Sequence, residues 1–331
     1  MSFLSSYVSR FLFLLLVPAL GCMSDDDCPE DPPLQDGGTD STPDALPDAN
    51  ADAAPDRDVG PVATLRVRNS MGDDFAPDLR CLGERVEPAA GASTTIAGPV
   101  LAFGERDMMG MPVAIPTAEL QVFINNQPSG DGTCIEPSCF SVTANNEGLF
   151  AFEVAEEAWF AYRSVGGDGF LPTTEQYVTV PGPGEPTFFN SIRGQTLAGI
   201  ARLVGAEVAP GTALVAGRIA DCTGTGFIRN ARLEVAAADG TVLAPGDNAL
   251  IAYFNDEGSA PDLARTGTNW DGRFSVLNLP ADGSVVQIRL YGQQTRESEE
   301  ELIGCELVSV YGDGMANLRV LPLRADGPDC R

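Results

Sequence analysis

The side chains of this chain that could do chemistry are carboxylates and arginines, because the sequence contains no histidine and no lysine. Without histidine there is no Ser-His or Cys-His nucleophile pair and no histidine metal ligand. Without lysine there is no Schiff base and no P-loop phosphate clamp. The remaining enzyme class is a carboxylate-dependent glycan hydrolase, whose two acidic groups would lie roughly 5–9.5 Å apart. We favour a non-catalytic protein and keep two alternatives, this hydrolase and a calcium-stabilised adhesion protein.

Trp270 is the best candidate for contact with a ligand. It precedes the turn residues Asp271 and Gly272, where an aromatic side chain is often exposed. An exposed tryptophan can stack on a sugar ring or anchor a protein partner. The alternative is that the indole packs over the edge of its own sheet.

Acidic residues in the segment 254–272 are the candidates for a metal site. Calcium takes carboxylate and carbonyl oxygens as ligands, so these side chains would have to converge as the segment folds back. The alternative, which we favour, is that they are solvated loop carboxylates, and we therefore expect neither metal nor cofactor. The four candidates are Asp256, Glu257, Asp262 and Asp271.

The N-terminus reads as a secretory signal over residues 1–21, with a short apolar run at 11–17 followed by Gly21 and Cys22. A small residue before a cysteine resembles the bacterial lipoprotein signal. That resemblance implies cleavage before Cys22, acylation of its thiol and a place in the cell envelope, at the periphery of a membrane, with the outer membrane or cell surface preferred. The alternative is an ordinary signal peptide in which Cys22 has no special role.

Residues 22–61 have the composition of a disordered tether. Positions 23–60 contain 12 acidic residues, one arginine, six prolines and no aromatic residue. Such a segment cannot bury enough apolar surface to offset the entropy lost on ordering. We predict a spacer between a lipidated cysteine and a folded body.

The charge of the chain argues against nucleic acid as a partner. The formal net charge is -27, and residues 61–331 still carry 35 acidic residues against 18 arginines. Phosphate backbones require a basic footprint. The expected partners are a membrane, reached through the lipid, and a glycan or a protein.

The remainder of the sequence predicts a mainly β protein. Short β-rich runs are separated by Gly, Pro, Asn and Asp, which is typical of antiparallel β-sandwiches. We predict two tandem antiparallel β-sandwich domains, at 62–187 and 211–331. Between them a connector at 188–210 contains a short helix over 196–204, with Leu197 and Ile200 on one face.

A weak internal repeat supports the two domains. The turn and strand at 145–150 resemble those at 269–274, and an Ala-x-Leu-x-Val strand precedes each, at 118–122 and 231–235. The second copy continues through Leu279-Pro280 to a strand ending in Tyr291-Gly292. This order resembles the carboxypeptidase regulatory-like domain, a transthyretin-type sandwich of the carbohydrate-binding-like fold group. The resemblance implies a non-catalytic accessory or surface module.

Eight cysteines in a secreted chain predict disulfides. With Cys22 lipidated and Cys28 left over in the tether, six cysteines remain in the body. The short Cys134–Cys139 loop favours a local bond. The ends of strands favour Cys222–Cys305, and Cys81–Cys330 then follows by elimination.

Overall fold

The computed structural model describes part of the chain. The predicted signal 1–21, the predicted tether 22–61 and the acylation site Cys22 all lie outside the described residues. The described residues are 63–69, 71–83, 93–124, 128, 133–155, 159–165, 167–179, 187–243, 249–258 and 260–322.

The fold is mainly β, as the sequence predicts. The strands of the first half are β1 (Val67–Arg68), β2 (Asp74–Phe75), β3 (Ser93–Arg106), β4 (Pro112–Ala114), β5 (Glu119–Phe123), β6 (Cys139–Thr143), β7 (Leu149–Ala155), β8 (Trp159–Ser164), β9 (Phe170–Leu171), β10 (Thr173–Thr179) and β11 (Phe189–Arg193). Helix α1 (Gly194–Leu203) follows directly. The strands of the second half are β12 (Thr212–Ile219), β13 (Arg232–Ala237), β14 (Leu250–Phe254), β15 (Pro261–Asp262), β16 (Arg273–Pro280), β17 (Asp282–Gly292), β18 (Glu301–Tyr311) and β19 (Met315–Val320).

One nine-stranded sheet contains strands from both halves, in the order β15-β14-β16-β12-β19-β10-β8-β5-β6. Most neighbours are antiparallel, as predicted, but β19 runs parallel to both β10 and β12. A five-stranded sheet is built around β3, which also pairs with β7, and β13, β17 and β18 form a three-stranded sheet. Strands assigned by sequence to two domains are therefore hydrogen-bonded through one ladder.

An aromatic core fills the first half. It lies between β3, β7 and β11 on one side and β5, β8 and β10 on the other, and β7 alternates strictly between exposed and buried residues. The Phe189 ring stacks on Tyr162 at 3.8 Å and on Phe150 at 4.4 Å between ring centroids. Such ring pairs add directional attraction to the burial of apolar area.

An aliphatic core fills the second half, between the three-stranded sheet and strands β12, β14, β16 and β19. Alternation along β12 decides which residues enter it, with Val215 and Ile219 facing this core and Leu214 facing the opposite side of the sheet. The N-terminal residues Leu65 and Val67 also lie in this core, although the sequence places them in the first predicted domain.

Helix α1 covers part of the other face of the nine-stranded sheet. Leu197 and Ile200 lie on its buried face, as the spacing predicts, and pack with Leu214, Leu277 and Met315. The helix is thus a packed layer as well as a connector. Within the described residues, no helix is long and apolar enough to cross a membrane.

The disulfides differ in part from the prediction. The Cys134–Cys139 bond is present, with a Cα–Cα distance of 5.1 Å. Cys81 is bonded to Cys222, so the predicted pairs Cys222–Cys305 and Cys81–Cys330 are wrong. The reason is a backbone contact: the Cys222 N–H donates to the Asp78 carbonyl at 2.9 Å and holds the two segments together. Cys305, within β18, is also disulfide-bonded.

One five-residue turn recurs, and we call it the Asx-Gly turn. A side-chain oxygen of its first residue, Asn or Asp, accepts the N–H groups of the third and fifth residues, and its fourth residue is a glycine with positive φ. The third side chain takes no part in these bonds, and neither does the second in the turns whose second residue is described. The repeat seen in the sequence is two of these turns. The four turns are 69–73, 107–111, 145–149 and 269–273.

We expect Gly272→Ala to destabilise the protein by about 3 kcal/mol or more. The left-handed φ costs an L-residue roughly 1–2 kcal/mol, and overpacking adds a similar amount, because the new Cβ would lie 2.4 Å from the Ile219 carbonyl oxygen. The matched control is Gly110→Ala, at φ +79° with nothing within 4 Å of its Cβ. Denaturant unfolding of both variants checks the difference, and equal losses would contradict the packing argument.

Candidate functional site

Trp270 occupies the second position of the Asx-Gly turn 269–273 and is half-buried. Two guanidinium groups lie over its indole ring, that of Arg68 at 3.7 Å and that of Arg229 at 4.3 Å from the centroid. Arg229 is brought there by the backbone bridge that pairs it with Arg66, on the strand segment that carries Arg68. The predicted ligand contact is therefore the centre of an arginine cluster.

The four predicted calcium ligands do not form one site. Asp256 pairs with Arg265 at 2.9 Å and with Arg229 at 3.5 Å. Asp271 pairs with Arg273 at 3.2 Å, and the Asp262 carboxylate accepts the N–H of Ala264. Glu257 is exposed. Among the described residues, no three His, Cys, Asp or Glu side chains are grouped so that they could hold a metal ion. The positive charge beside Asp256 and Asp271 is supplied by arginine side chains, in the place that a metal ion would take.

Arg273 is the most deeply placed cation of this region, with 5% of its surface exposed. It pairs with Asp271 and donates to the Gly258 carbonyl at 2.5 Å. Burial lowers its pKa, and the charge of Asp271 acts in the opposite direction. The contact with Gly258 fixes the loop at 255–258, which carries Asp256, beside the turn that carries Trp270.

Three arginines lie side by side on the nine-stranded sheet, and we call Arg273, Arg218 and Arg319 the arginine row. Arg273 is the register partner of Arg218 across β16 and β12, and Arg218 is that of Arg319 across β12 and β19. Register partners point to the same face, on strands about 4.8 Å apart. The row therefore concentrates positive charge on one face of an acidic protein.

The electrostatics of the row favour an anion. Burial, together with the charges of Arg273 and Arg319, lowers the pKa of Arg218 to about 10, while the charge of Asp271 acts in the opposite direction. The repulsion among the three guanidinium groups decreases when a carboxylate, sulfate or phosphate binds among them. The guanidinium fork binds such groups through two parallel hydrogen bonds.

A polar network extends from the end of the row into the first half. The Tyr162 hydroxyl donates to the Glu175 carboxylate at 2.6 Å and accepts the Asn190 N–H at 2.9 Å. Burial raises the pKa of Glu175, while its bond from Tyr162, the charge of Arg319 and a bond from Asn317 lower it. Burial also raises the pKa of Tyr162. This network connects the aromatic core to Arg319.

The sequence indicated Trp270 and its turn but missed the arginine row. The sequence signal of the row is weak, because its three arginines lie on three different strands. More than fifty residues separate Arg218 from Arg273, and more than forty separate Arg273 from Arg319. Only the register of β16, β12 and β19 brings them together. What β12, β16 and β19 share in sequence is a single arginine in a mostly apolar strand.

Comparison with known proteins gives distant likenesses. No family model matches the chain, and no curated protein matches it in sequence. A shaft pilin of Lactobacillus rhamnosus GG is 6% identical over 70% of this chain and 98% of the pilin, with a TM-score of 0.23. A minor pilin of Streptococcus agalactiae is 10% identical over 71% and 98%, with a TM-score of 0.20. A candidate carbohydrate-binding protein of Bacteroides uniformis is 9% identical over 65% and 98%, with a TM-score of 0.21. With TM-scores this low, the likenesses carry no argument about this chain.

We expect Glu175→Gln to change how stability depends on pH. Because the folded state raises the Glu175 pKa above its ordinary 4.5, the folded protein binds this proton more tightly than the unfolded chain does. The contribution of Glu175 is therefore fully present below pH 4.5 and is lost as pH rises through the raised pKa. Relative to the variant, the wild type should lose stability across that window.

Urea unfolding of both proteins at several pH values measures this difference. The matched control is Asp239→Asn, because the Thr241 backbone N–H lowers the pKa of Asp239. Relative to that control, the wild type should instead lose stability as pH falls below 3.8. A pH-independent difference between wild type and Glu175→Gln would contradict the raised pKa.

Proposed function

We propose that this protein is a non-catalytic, lipid-anchored binding module of the cell envelope and that its arginine row, beside Trp270, binds an acidic glycan. The observation that carries the proposal is the register Arg273–Arg218–Arg319 on one sheet face. A carboxylate or sulfate group of a sugar presents two oxygen atoms that can accept two parallel hydrogen bonds from one guanidinium group.

The surroundings of the row support an anionic ligand. The chain carries a net charge of -27, yet six arginines gather between β1 and β19, at positions 68, 218, 229, 265, 273 and 319. At physiological salt, exposed charges farther apart than about 8 Å are largely screened from one another. A ligand at the row therefore interacts mainly with these arginines and little with the distant acidic residues.

A binding role is favoured over hydrolysis by what the nearby carboxylates contact. Asp271 pairs with Arg273, and Glu175 accepts the Tyr162 hydroxyl. A hydrolase needs one carboxyl that holds a proton for the leaving group and a second that attacks or activates water. Both nearby carboxylates are already used in holding the site together.

The binding test compares wild type with Arg218→Gln/Arg319→Gln. Each charge-assisted contact that is lost costs roughly 1.5–3 kcal/mol, so affinity for polygalacturonate or dextran sulfate should fall by about tenfold or more. The matched control is Arg202→Gln, an exposed arginine of α1. Calorimetry at two salt concentrations measures binding, with neutral dextran as the negative ligand and thermal unfolding as the folding check.

Equal affinity of the double variant and wild type would contradict the arginine site. Binding of poly-glutamate in preference to both polysaccharides would point to an acidic protein partner instead. Release of reducing ends from polygalacturonate would favour the alternative hydrolase. A calcium-dependent rise in Tm that Asp271→Asn abolishes would favour the other alternative, a calcium-stabilised adhesion protein.

The membrane anchor rests on Gly21, Cys22 and the acidic segment that follows. We expect the mature protein extracted from membranes to begin at Cys22 and to carry acyl chains there. Two acyl chains are enough for stable anchoring, whereas one is only marginal. Intact-mass measurement with mapping of the N-terminal peptide checks this, and a soluble product without lipid would contradict the anchor while leaving the arginine site untouched.

A further inference from the structure

The tip of the β3–β4 hairpin carries three exposed methionines. They occupy the second, third and fifth positions of the Asx-Gly turn 107–111, and they are three of the seven methionines of the chain. Met108 is 106% exposed, Met109 83% and Met111 56%. Core methionines fill gaps between other side chains, and these three do not serve that purpose.

The backbone beneath them is fixed. The Asp107 carboxylate accepts the N–H groups of Met109 and Met111, each at 2.8 Å, and the Asp107 N–H donates to the Met111 carbonyl at 2.8 Å. Arg106 also donates to the Gly110 carbonyl. Three flexible thioether arms therefore start from one rigid turn within four positions of sequence.

Among the described residues, the accessible soft donors are exposed thioethers, and three of the four lie on this turn, the fourth being that of Met71. There is no histidine, and the described cysteines, at positions 81, 134, 139, 222 and 305, are all in disulfides. Thioether sulfur selects soft monovalent cations such as Cu(I), while hard cations prefer oxygen.

We propose that Met108, Met109 and Met111 form a Cu(I) site in which the three thioethers are the ligands. The site takes one ion per chain, and the adjustment needed is rotation of exposed side chains. It is separate from the arginine row, since β3 and β4 belong to the five-stranded sheet, and it stands whether or not the row binds a glycan.

The test uses the full mature chain labelled with ¹³C at the methionine methyl groups and titrated with Ag(I), a soft ion of the same charge that undergoes no redox reaction here. We expect the methyl signals of the three turn methionines to shift together and saturate at one equivalent. The internal references are Met71, exposed on another Asx-Gly turn, and Met315, which is buried. Unchanged turn signals would overturn the proposal.

Competition for Cu(I) against the chromophoric chelator bicinchoninate, under anaerobic reducing conditions that preserve the disulfides, measures the affinity. Met108→Leu/Met109→Leu/Met111→Leu keeps the apolar surface and removes the sulfur, and it should weaken Cu(I) binding by at least about tenfold. Met71→Leu is the matched control and should bind like wild type. Equal affinity of the triple variant and wild type would overturn the proposal, because binding would then not depend on the thioethers.

Discussion

Strand β19 lies between β10 and β12 and pairs in parallel with both, so the continuity of the nine-stranded sheet depends on this one strand. Its small and apolar residues Ala316, Leu318 and Val320 face the aliphatic core, while Met315 faces α1. The same alternation places Arg319 next to Arg218 and Asn317 next to Glu175. The aliphatic core, the helix layer and the charged site are thus aligned by one set of backbone hydrogen bonds.

Arginine suits the two cations that lie deepest in the candidate site. Arg273 is nearly buried and Arg218 is half-buried, and both contact carbonyl, carboxylate or aromatic groups. A guanidinium is more weakly hydrated than an ammonium and makes several directed hydrogen bonds, so it tolerates such positions better. Trp270 is contacted by two guanidinium groups over its ring.

Local pattern explains what the sequence could predict. The mainly β fold, the helix near 196–204, the bond between Cys134 and Cys139 and the paired turns at 145 and 269 all depend on residues close together in the chain. The partner of Cys81 and the arginine row depend on register and on contacts between segments far apart in sequence, such as that of Asp78 with Cys222. The ion pairs of Asp256 and Asp271 with arginines likewise could not be predicted from the sequence. Composition alone does not distinguish a carboxylate that binds calcium from one that pairs with an arginine.

Each position of the Asx-Gly turn has a different structural role. The first residue supplies the side-chain acceptor, the fourth is glycine, and the third and fifth contribute to the turn through backbone groups. Most side chains are therefore interchangeable at the tip. In this chain one turn presents Trp270 and Asp271, another Met108 and Met109, over the same hydrogen-bonded frame. The residues that fix the backbone of these turns are therefore different from those whose side chains are exposed. Such turns are natural places for sequence to diversify, or for a designer to graft a recognition motif, while the sheets stay unchanged.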